Sequence, residues 1–319
     1  MLEDRIRGAF FGAAVGDAIG GPVEMMSAAA IREKYGSVRD MEGGGWLKLA
    51  PGEWTDDTSM TLDVARGILS NPSYPVEEIG HNFLRWQRSG PRDIGRTTGE
   101  SIKNYMKTGN WKQASRMTAR SINKMDSNGG LMRTMPVTFG YWNDMRMIAK
   151  WSAEICMMTH YSQDGATCCI FYNLLVRLAA GGGPRRQIIS RALELTDDFC
   201  REMNITPSKF FWHIIKHIQK DAPLLAPRGN ALDTLAASLQ SFLGTESFEA
   251  AVVDVVNRGE DTDTAGCITG GLAGTYYGYG SIPGRWLDTL KKQDQIEQVV
   301  EGLISFWRQK GITDQPRDQ

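Results

Sequence analysis

Cysteine is scarce in this sequence and unpaired. Cys156, Cys168, Cys169, Cys200 and Cys267 form no CxxC motif and no even framework, so neither a zinc site nor a disulfide scaffold is signalled, and a reducing cytoplasm fits best. An excess of charge of one sign is missing too. The 36 basic and 37 acidic residues leave a net charge of −1, which provides no broad positive field to attract nucleic acid or anionic lipid, and neither is expected as a partner. Long apolar runs are also lacking. The chain begins Met1-Leu2-Glu3-Asp4-Arg5, acidic ahead of an apolar stretch that Asp17 interrupts, which argues against a signal peptide and a membrane span. Strand-type alternation of apolar and polar residues is rare as well.

What the sequence does hold is helical spacing. Apolar residues recur every three or four positions over 60–69, 79–86, 147–158, 168–179, 187–194, 231–243 and 296–307, which predicts a mostly helical chain. With 319 residues, 41% of them hydrophobic, it can bury a large core. The Pro/Gly-rich breaks at Asn71–Pro75, Gly181–Pro184 and Ala222–Gly229 are short enough to be helix connections and not linkers. The expectation is one all-α, compact, multi-helix domain over residues 1–310, followed by a flexible tail over 311–319.

Two segments carry glycine at every fourth residue: Gly8, Gly12, Gly16 and Gly20, then Gly266, Gly270, Gly274 and Gly278. Such spacing bares one stripe of a helix. Glycine costs about 1 kcal/mol relative to alanine in a helix interior, so a run of four implies that another backbone comes unusually close. Acids lie beside both stripes, Asp17 and Glu24 at the first, Asp261 and Asp263 at the second.

Trp54-Thr55-Asp56-Asp57-Thr58 precedes one helical pattern, and Glu260-Asp261-Thr262-Asp263-Thr264 precedes the second glycine stripe. Capping explains one such residue per helix start. Each cluster supplies two carboxylates with flanking hydroxyls, and the excess calls for a cation. Carboxylate and hydroxyl oxygens are hard ligands that suit magnesium, manganese or calcium, and with no His or Cys clustered beside them zinc is not expected. An EF-hand is excluded by Ala265 and Leu272, which stand where it needs an acid or amide and then a Glu. If the clusters converge in space, they make a site for two ions about 4 Å apart. Separately, the glycines of Ser127-Asn128-Gly129-Gly130 allow backbone N–H groups to point at an anion.

Together these segments resemble the ADP-ribosylglycohydrolase family. The matching residues are Gly16-Asp17-Ala18-Ile19-Gly20 with Glu24, Gly43-Gly44-Gly45-Trp46, Thr55-Asp56-Asp57-Thr58, Asp93-Ile94-Gly95, Asn128-Gly129-Gly130-Leu131-Met132-Arg133, Thr159-His160 and Asp261-Thr262-Asp263-Thr264, in family order. The resemblance implies an entirely helical fold with two magnesium or manganese ions held by Thr55, Asp56 and Asp57 on one side and Asp261, Asp263 and Thr264 on the other. It implies acid/base work for Glu24, reaching in from a mobile loop, and a catalytic role for Asp57. The loop of Asn128, Gly129, Gly130 and Met132 would hold the substrate diphosphate, with Arg133 neutralising phosphate or an internal carboxylate. His160 would contact ADP-ribose; a Cys156–His160 nucleophile is disfavoured because Cys156 sits in the apolar run Ile155-Cys156-Met157-Met158. Asp93, in a loop read as Pro91–Thr98, would face a guanidinium, whose two parallel N–H bonds a carboxylate accepts well. The expected activity is therefore metal-dependent hydrolysis of the N-glycosidic bond of ADP-ribosyl-arginine on a modified protein, releasing ADP-ribose. Alternatives are a hydrolase for serine-linked ADP-ribose, O-acetyl-ADP-ribose or poly(ADP-ribose), or a non-catalytic ADP-ribose-binding scaffold.

Overall fold

A computed structural model describes residues 2–122, 126–218 and 223–311. Its helices in order are α1 (Leu2–Gly20), α2 (Ala28–Tyr35), α3 (Asp56–Ser70), α4 (Pro75–Arg88), α5 (Arg96–Thr108), α6 (Trp111–Ser121), α7 (Pro136–Gly140) and α8 (Met145–Met157). There follow α9 (Gln163–Ala179), α10 (Arg185–Glu202), α11 (Lys209–His217), α12 (Ala231–Gly244), α13 (Phe248–Val256), α14 (Thr262–Tyr277), α15 (Gly284–Thr289) and α16 (Gln293–Gln309). No strand occurs among the described residues, so the fold is all-α and compact, as the spacing predicts. Residues 312–319 of the expected tail, and Ala222 of the third break, lie outside the described residues.

Six of the seven segments of helical spacing fall inside helices, and the seventh, 147–158, runs one residue past the end of α8. Local chemistry sets many ends: Asn110, Asp144, Ser162, Ser208, Asn230 and Ser247 each accept a backbone N–H at a helix start, which satisfies an otherwise orphaned donor. Two further helices, α5 and α6, leave little apolar pattern in the sequence. The inward positions of α5 are Thr97, Thr98, Ser101, Ile102 and Asn104, and those of α6 are Trp111, Ala114, Ser115 and Thr118. They are bound together by hydrogen bonds such as Ser101 Oγ to Thr118 Oγ1 at 3.0 Å. The loop carrying Asp93 therefore ends at Gly95, and Thr97 and Thr98 belong to α5, a correction to its expected extent.

The two glycine stripes pack on each other. A Cβ placed on Gly8, Gly12 or Gly16 would fall on the carbonyl oxygen of Gly274, Gly270 or Gly266, and one on Gly20 would fall on that of Thr262. The helices α1 and α14 thus run antiparallel in backbone contact, enclosed by a large apolar cluster that includes Phe10, Ile19, Leu235, Phe248, Leu272 and Val300. A second cluster around Val64, Phe83, Ile155 and Ile170 fills the space between α3, α4, α8 and α9. Because α1 and α14 are antiparallel, the C-terminus of α1 lies beside the N-terminus of α14, and Thr262 Oγ1 donates to the Gly20 carbonyl at 2.9 Å. Asp17 then draws in the start of α3. Its carboxylate accepts from the Thr55 N–H at 3.0 Å, the Thr58 N–H at 3.0 Å and the Thr58 hydroxyl at 2.6 Å.

Gly270→Ala separates two effects of opposite sign. Helix propensity alone favours alanine by about 1 kcal/mol, whereas the Gly12 carbonyl carbon would stand 2.7 Å from the new Cβ. Overpacking of a rigid backbone contact costs about 2–3 kcal/mol, so urea denaturation should show a net loss of stability. A more stable variant would contradict the close packing of α1 and α14.

Candidate active site

The fold carries both acid clusters to one end of the α1–α14 pair. Asp56 and Asp57 open α3, Asp261 and Asp263 open α14, and all four line a cleft of about 460 Å³. Glu24, Asp93, Thr264, Asn128, Gly129, Met132 and His160 share that wall. Thr55 and Gly130 do not line it. Thr55 caps α3 by accepting from the Asp57 N–H at 3.4 Å, and its hydroxyl also donates to Asp57 Oδ2 at 3.2 Å.

Capping accounts for little of the acidity. Asp261 occupies the N-cap position of α14, yet its side chain makes no capping bond and accepts instead from Asn128 Nδ2 at 3.0 Å. Asp57 Oδ2 accepts from the hydroxyls of Thr55 and Thr264, the latter at 3.4 Å, whereas its Oδ1 is buried without a partner. Carboxylate oxygens of Glu24, Asp93 and Asp263 lie within 4.8 Å of one another. Among the described residues, no lysine or arginine pairs with any of these acids. Burial, reinforced by neighbouring carboxylates, pushes Asp56, Asp57 and Asp263 well above the usual carboxylate range. Burial likewise raises Asp93, and it raises Glu24 to about 7 against a 2.7 Å bond from Trp46 Nε1. In Asp17, burial outweighs the bonds from Thr58 and Thr55 and lifts the carboxyl to about 6. An orphaned buried oxygen amid hard oxygen donors, none of them in an ion pair with lysine or arginine among the described residues, suits hard divalent cations.

Glu24, expected on a loop, lies on a hydrogen-bonded segment. It ends a 3₁₀ turn, Gly21–Val23, and the residues that follow are clasped to the segment before α14. The Met25 N–H donates to the Glu260 carbonyl at 2.8 Å, and the Glu260 N–H donates to the Met26 carbonyl at 2.7 Å.

The glycines of the anion loop serve close approach. Asn128–Gly130 forms a 3₁₀ turn, and neither glycine has the positive φ of an anion-cradling nest. A Cβ on Gly129 would stand 2.9 Å from the His160 ring, and one on Gly130 2.7 Å from Cys156 Sγ. The Asn128 side chain is held within the protein, its amide donating to Thr234 Oγ1 and Asp261 Oδ2, each at 3.0 Å.

Arg133 does not face the cleft, and no carboxylate holds it. Fully buried, it lies 4.7 Å above the Phe83 ring and donates to the Ile155 carbonyl at 3.3 Å and Thr159 Oγ1 at 2.6 Å. Thr159 Oγ1 lies 2.7 Å from His160 Nδ1, and His160 Nε2 lies 2.9 Å from Ser127 Oγ. A guanidinium only donates, so the buried Thr159 hydroxyl donates its hydrogen bond to Nδ1, and His160 carries its own hydrogen on Nε2 toward Ser127. Burial and the Arg133 charge push His160 down to about 3, so it stays neutral and orients a cleft hydroxyl. Cys156 is buried, its Sγ 3.9 Å from the His160 carbonyl oxygen, in keeping with an inert thiol.

The sequence placed Thr159 with His160 in the cleft and Asp17 beside the glycine stripe, but not Thr159 as the relay from Arg133 nor Asp17 as the anchor of α3, and it gave Trp46 and Ser127 no contact of their own. For Asp17 a signal was present: a single acid near the end of an otherwise apolar, glycine-striped helix.

The all-helical scaffold and its acid-lined cleft are those of a helical glycohydrolase. Residues 1–312 match the sequence profile of the ADP-ribosylglycohydrolase family, and the chain belongs to that family. It is similar to the ADP-ribosyl-[dinitrogen reductase] glycohydrolase of Rhodospirillum rubrum, with 31% identity over 96% of this chain and 97% of that protein. It is also similar to the ADP-ribosylarginine hydrolase Tri1 of Serratia proteamaculans, with 29% identity over 94% of this chain and 79% of that one. Among solved structures, a chain of an ADP-ribosylglycohydrolase-related protein complex superposes with a TM-score of 0.80 at 32% identity, covering 95% of this chain and 98% of that chain. No helix among the described residues is long and apolar enough to cross a membrane.

The carboxyl shifts carry a stability consequence. Asp17 and Glu24 have folded-state values of about 6 and about 7 against 3.8 and 4.5 for the free groups. Between those values the folded chain binds more protons than the unfolded chain, so stability falls as pH rises. In chelator, the melting temperature should drop from about pH 5 to pH 8, and excess manganese should flatten the profile. A metal-free protein that grows more stable over that range would contradict the uncompensated acid cluster.

Proposed function

We propose that this protein hydrolyses the N-glycosidic bond joining ADP-ribose to a protein arginine, with two divalent cations, manganese or magnesium, held by the acid clusters. The observation that carries this reading is the convergence of Glu24 and Asp93 with Asp263 within 4.8 Å, in the wall of a cleft of about 460 Å³. The similarity to glycohydrolases of ADP-ribosyl dinitrogen reductase and of ADP-ribosylarginine supports it. Thr55, Asp56, Asp57, Asp261, Asp263 and Thr264 would hold the cations. When bound, the ions supply Lewis acidity and positive charge toward sugar hydroxyls and water.

The protein's own groups do the remainder. Gly129 and Met132 of the cleft wall, with the Ser127 hydroxyl set by His160, anchor the diphosphate, and that remote binding energy is spent on fixing the sugar. Asp93 accepts two guanidinium N–H bonds and orients the leaving group. Glu24, aligned by Trp46, supplies the proton that the departing nitrogen takes up. Asp17 touches no substrate; it positions the start of α3. The products are ADP-ribose and unmodified arginine, and the substrate partner is an ADP-ribosylated protein.

Asp93→Ala tests this reading. Loss of a charge-assisted bidentate contact from a desolvated site should lower hydrolysis of ADP-ribosyl-arginine by roughly 100-fold or more. At saturating manganese, binding of free ADP-ribose, which has no guanidinium, should change far less. Wild-type turnover by the variant, or preference of the wild type for a serine linkage, would overturn the arginine assignment. Turnover in excess chelator would overturn the metal assignment.

A further inference from the structure

A second concavity, about 770 Å³ and larger than the first, opens on the other side of Asp56 and Asp93, the two residues that line both. Its walls come from the loop before α3, the outer face of α3, the C-terminal turns of α4, the Ser89–Asp93 segment and the start of α16. Four cations, Arg66, Arg85, Arg92 and Lys292, and four carboxylates, Glu53, Asp56, Asp63 and Asp93, line it. On the proposed function Asp56 faces the metal ions and Asp93 the guanidinium, so the outer wall sets four cations against Glu53 and Asp63. Asp63 pairs with Arg66 at 3.1 Å and Glu53 with Arg92 at 3.2 Å, which leaves positive charge on Arg85 and Lys292. The Arg85 side chain donates to Asn82 Oδ1, a neutral partner. The side-chain amides of Gln295 and Gln298 complete the wall, and amides of this kind suit the N–H and C=O groups of an extended backbone.

We infer that this concavity receives the polypeptide segment around the modified arginine, and that the excess of cations on its outer wall selects segments in which acidic residues flank that arginine. The inference rests on the arginine reading above. If ADP-ribose fills the first cleft and the guanidinium lies against Asp93, the arginine side chain must leave past Asp93, and the space beyond it is this concavity. A free sugar or nucleotide has no need of that volume. A protein substrate does, because the Cα of an arginine stands several bonds from its guanidinium and brings its neighbours along. Opposite charge on those neighbours steers and orients the encounter, whereas like charge repels it.

Two synthetic peptides test this, each ADP-ribosylated on a single arginine, one flanked by aspartates and the other by lysines. Several partly exposed ion pairs, each weak alone, should together give the wild-type enzyme roughly a 10-fold higher kcat/KM on the acidic peptide at low salt. The preference should shrink as salt screens the charges. In Arg85→Glu/Lys292→Glu the ratio should fall to unity or invert. Lys292 is exposed, so Lys292→Glu alone is a second variant that keeps the fold and should lower the ratio part of the way. Equal kcat/KM for the two peptides in wild type, or an unchanged ratio in the variants, overturns the inference and leaves the arginine reading intact. Turnover of free ADP-ribosyl-arginine but of neither peptide also overturns it. Failure to cleave any arginine-linked substrate overturns the arginine reading, and this inference with it.

Discussion

Backbone contact between two glycine-striped helices is the constraint on which the rest of this structure depends. With no side chains between α1 and α14, the carbonyls of Gly266, Gly270 and Gly274 lie where Cβ atoms of α1 would stand. That closeness fixes the helices in register as well as in distance. Register matters because it sets Gly20 against Thr262, so the residues after α1 and those opening α14 meet at one level. Asp17, one turn earlier, then accepts three bonds from Thr55 and Thr58 and sets the start of α3 at the same level. A glycine stripe, a threonine hydroxyl and one buried carboxylate thus assemble ligands distant in sequence.

What they assemble is electrostatically costly. Like charges brought together in a desolvated cleft raise one another, and among the described residues none of them forms an ion pair with lysine or arginine. The protein meets part of this cost with hydroxyls and amides: Thr58 to Asp17, Thr264 to Asp57, Asn128 to Asp261 and Trp46 to Glu24. One oxygen, Asp57 Oδ1, is left without any partner. A cluster met by neutral donors and left with one bare oxygen is what the proposed cation site needs, since a preorganised site lets bound charge act on substrate without rearrangement.

Much of this was legible in the sequence, for physical reasons. Helices with an apolar face announce themselves by spacing, and the acid clusters stood out because capping needs fewer carboxylates than Thr55–Thr58 and Asp261–Thr264 supply. The glycine stripes predicted a close backbone but not which one, since periodicity on one helix does not name its partner. α5 and α6 escaped because polar groups such as Ser101, Asn104 and Thr118 face inward and satisfy one another. Arg133 was read as a phosphate or carboxylate ligand, yet it lies in the core and acts through Thr159 on His160. A sequence shows a charge without its direction. The pinned backbone of Glu24 was likewise invisible, because the clasp with Glu260 joins segments far apart in the chain.

The central claim is that helix packing builds a site for two hard cations in the cleft. Its most direct test is the number and proximity of ions bound, read by calorimetric titration of chelator-treated protein with manganese and by electron paramagnetic resonance of the loaded sample. The account predicts two manganese ions per chain with a spin-coupled spectrum, and loss of that coupling in Asp57→Asn. A single uncoupled ion in wild type, or a coupled pair that survives in Asp57→Asn, would contradict it.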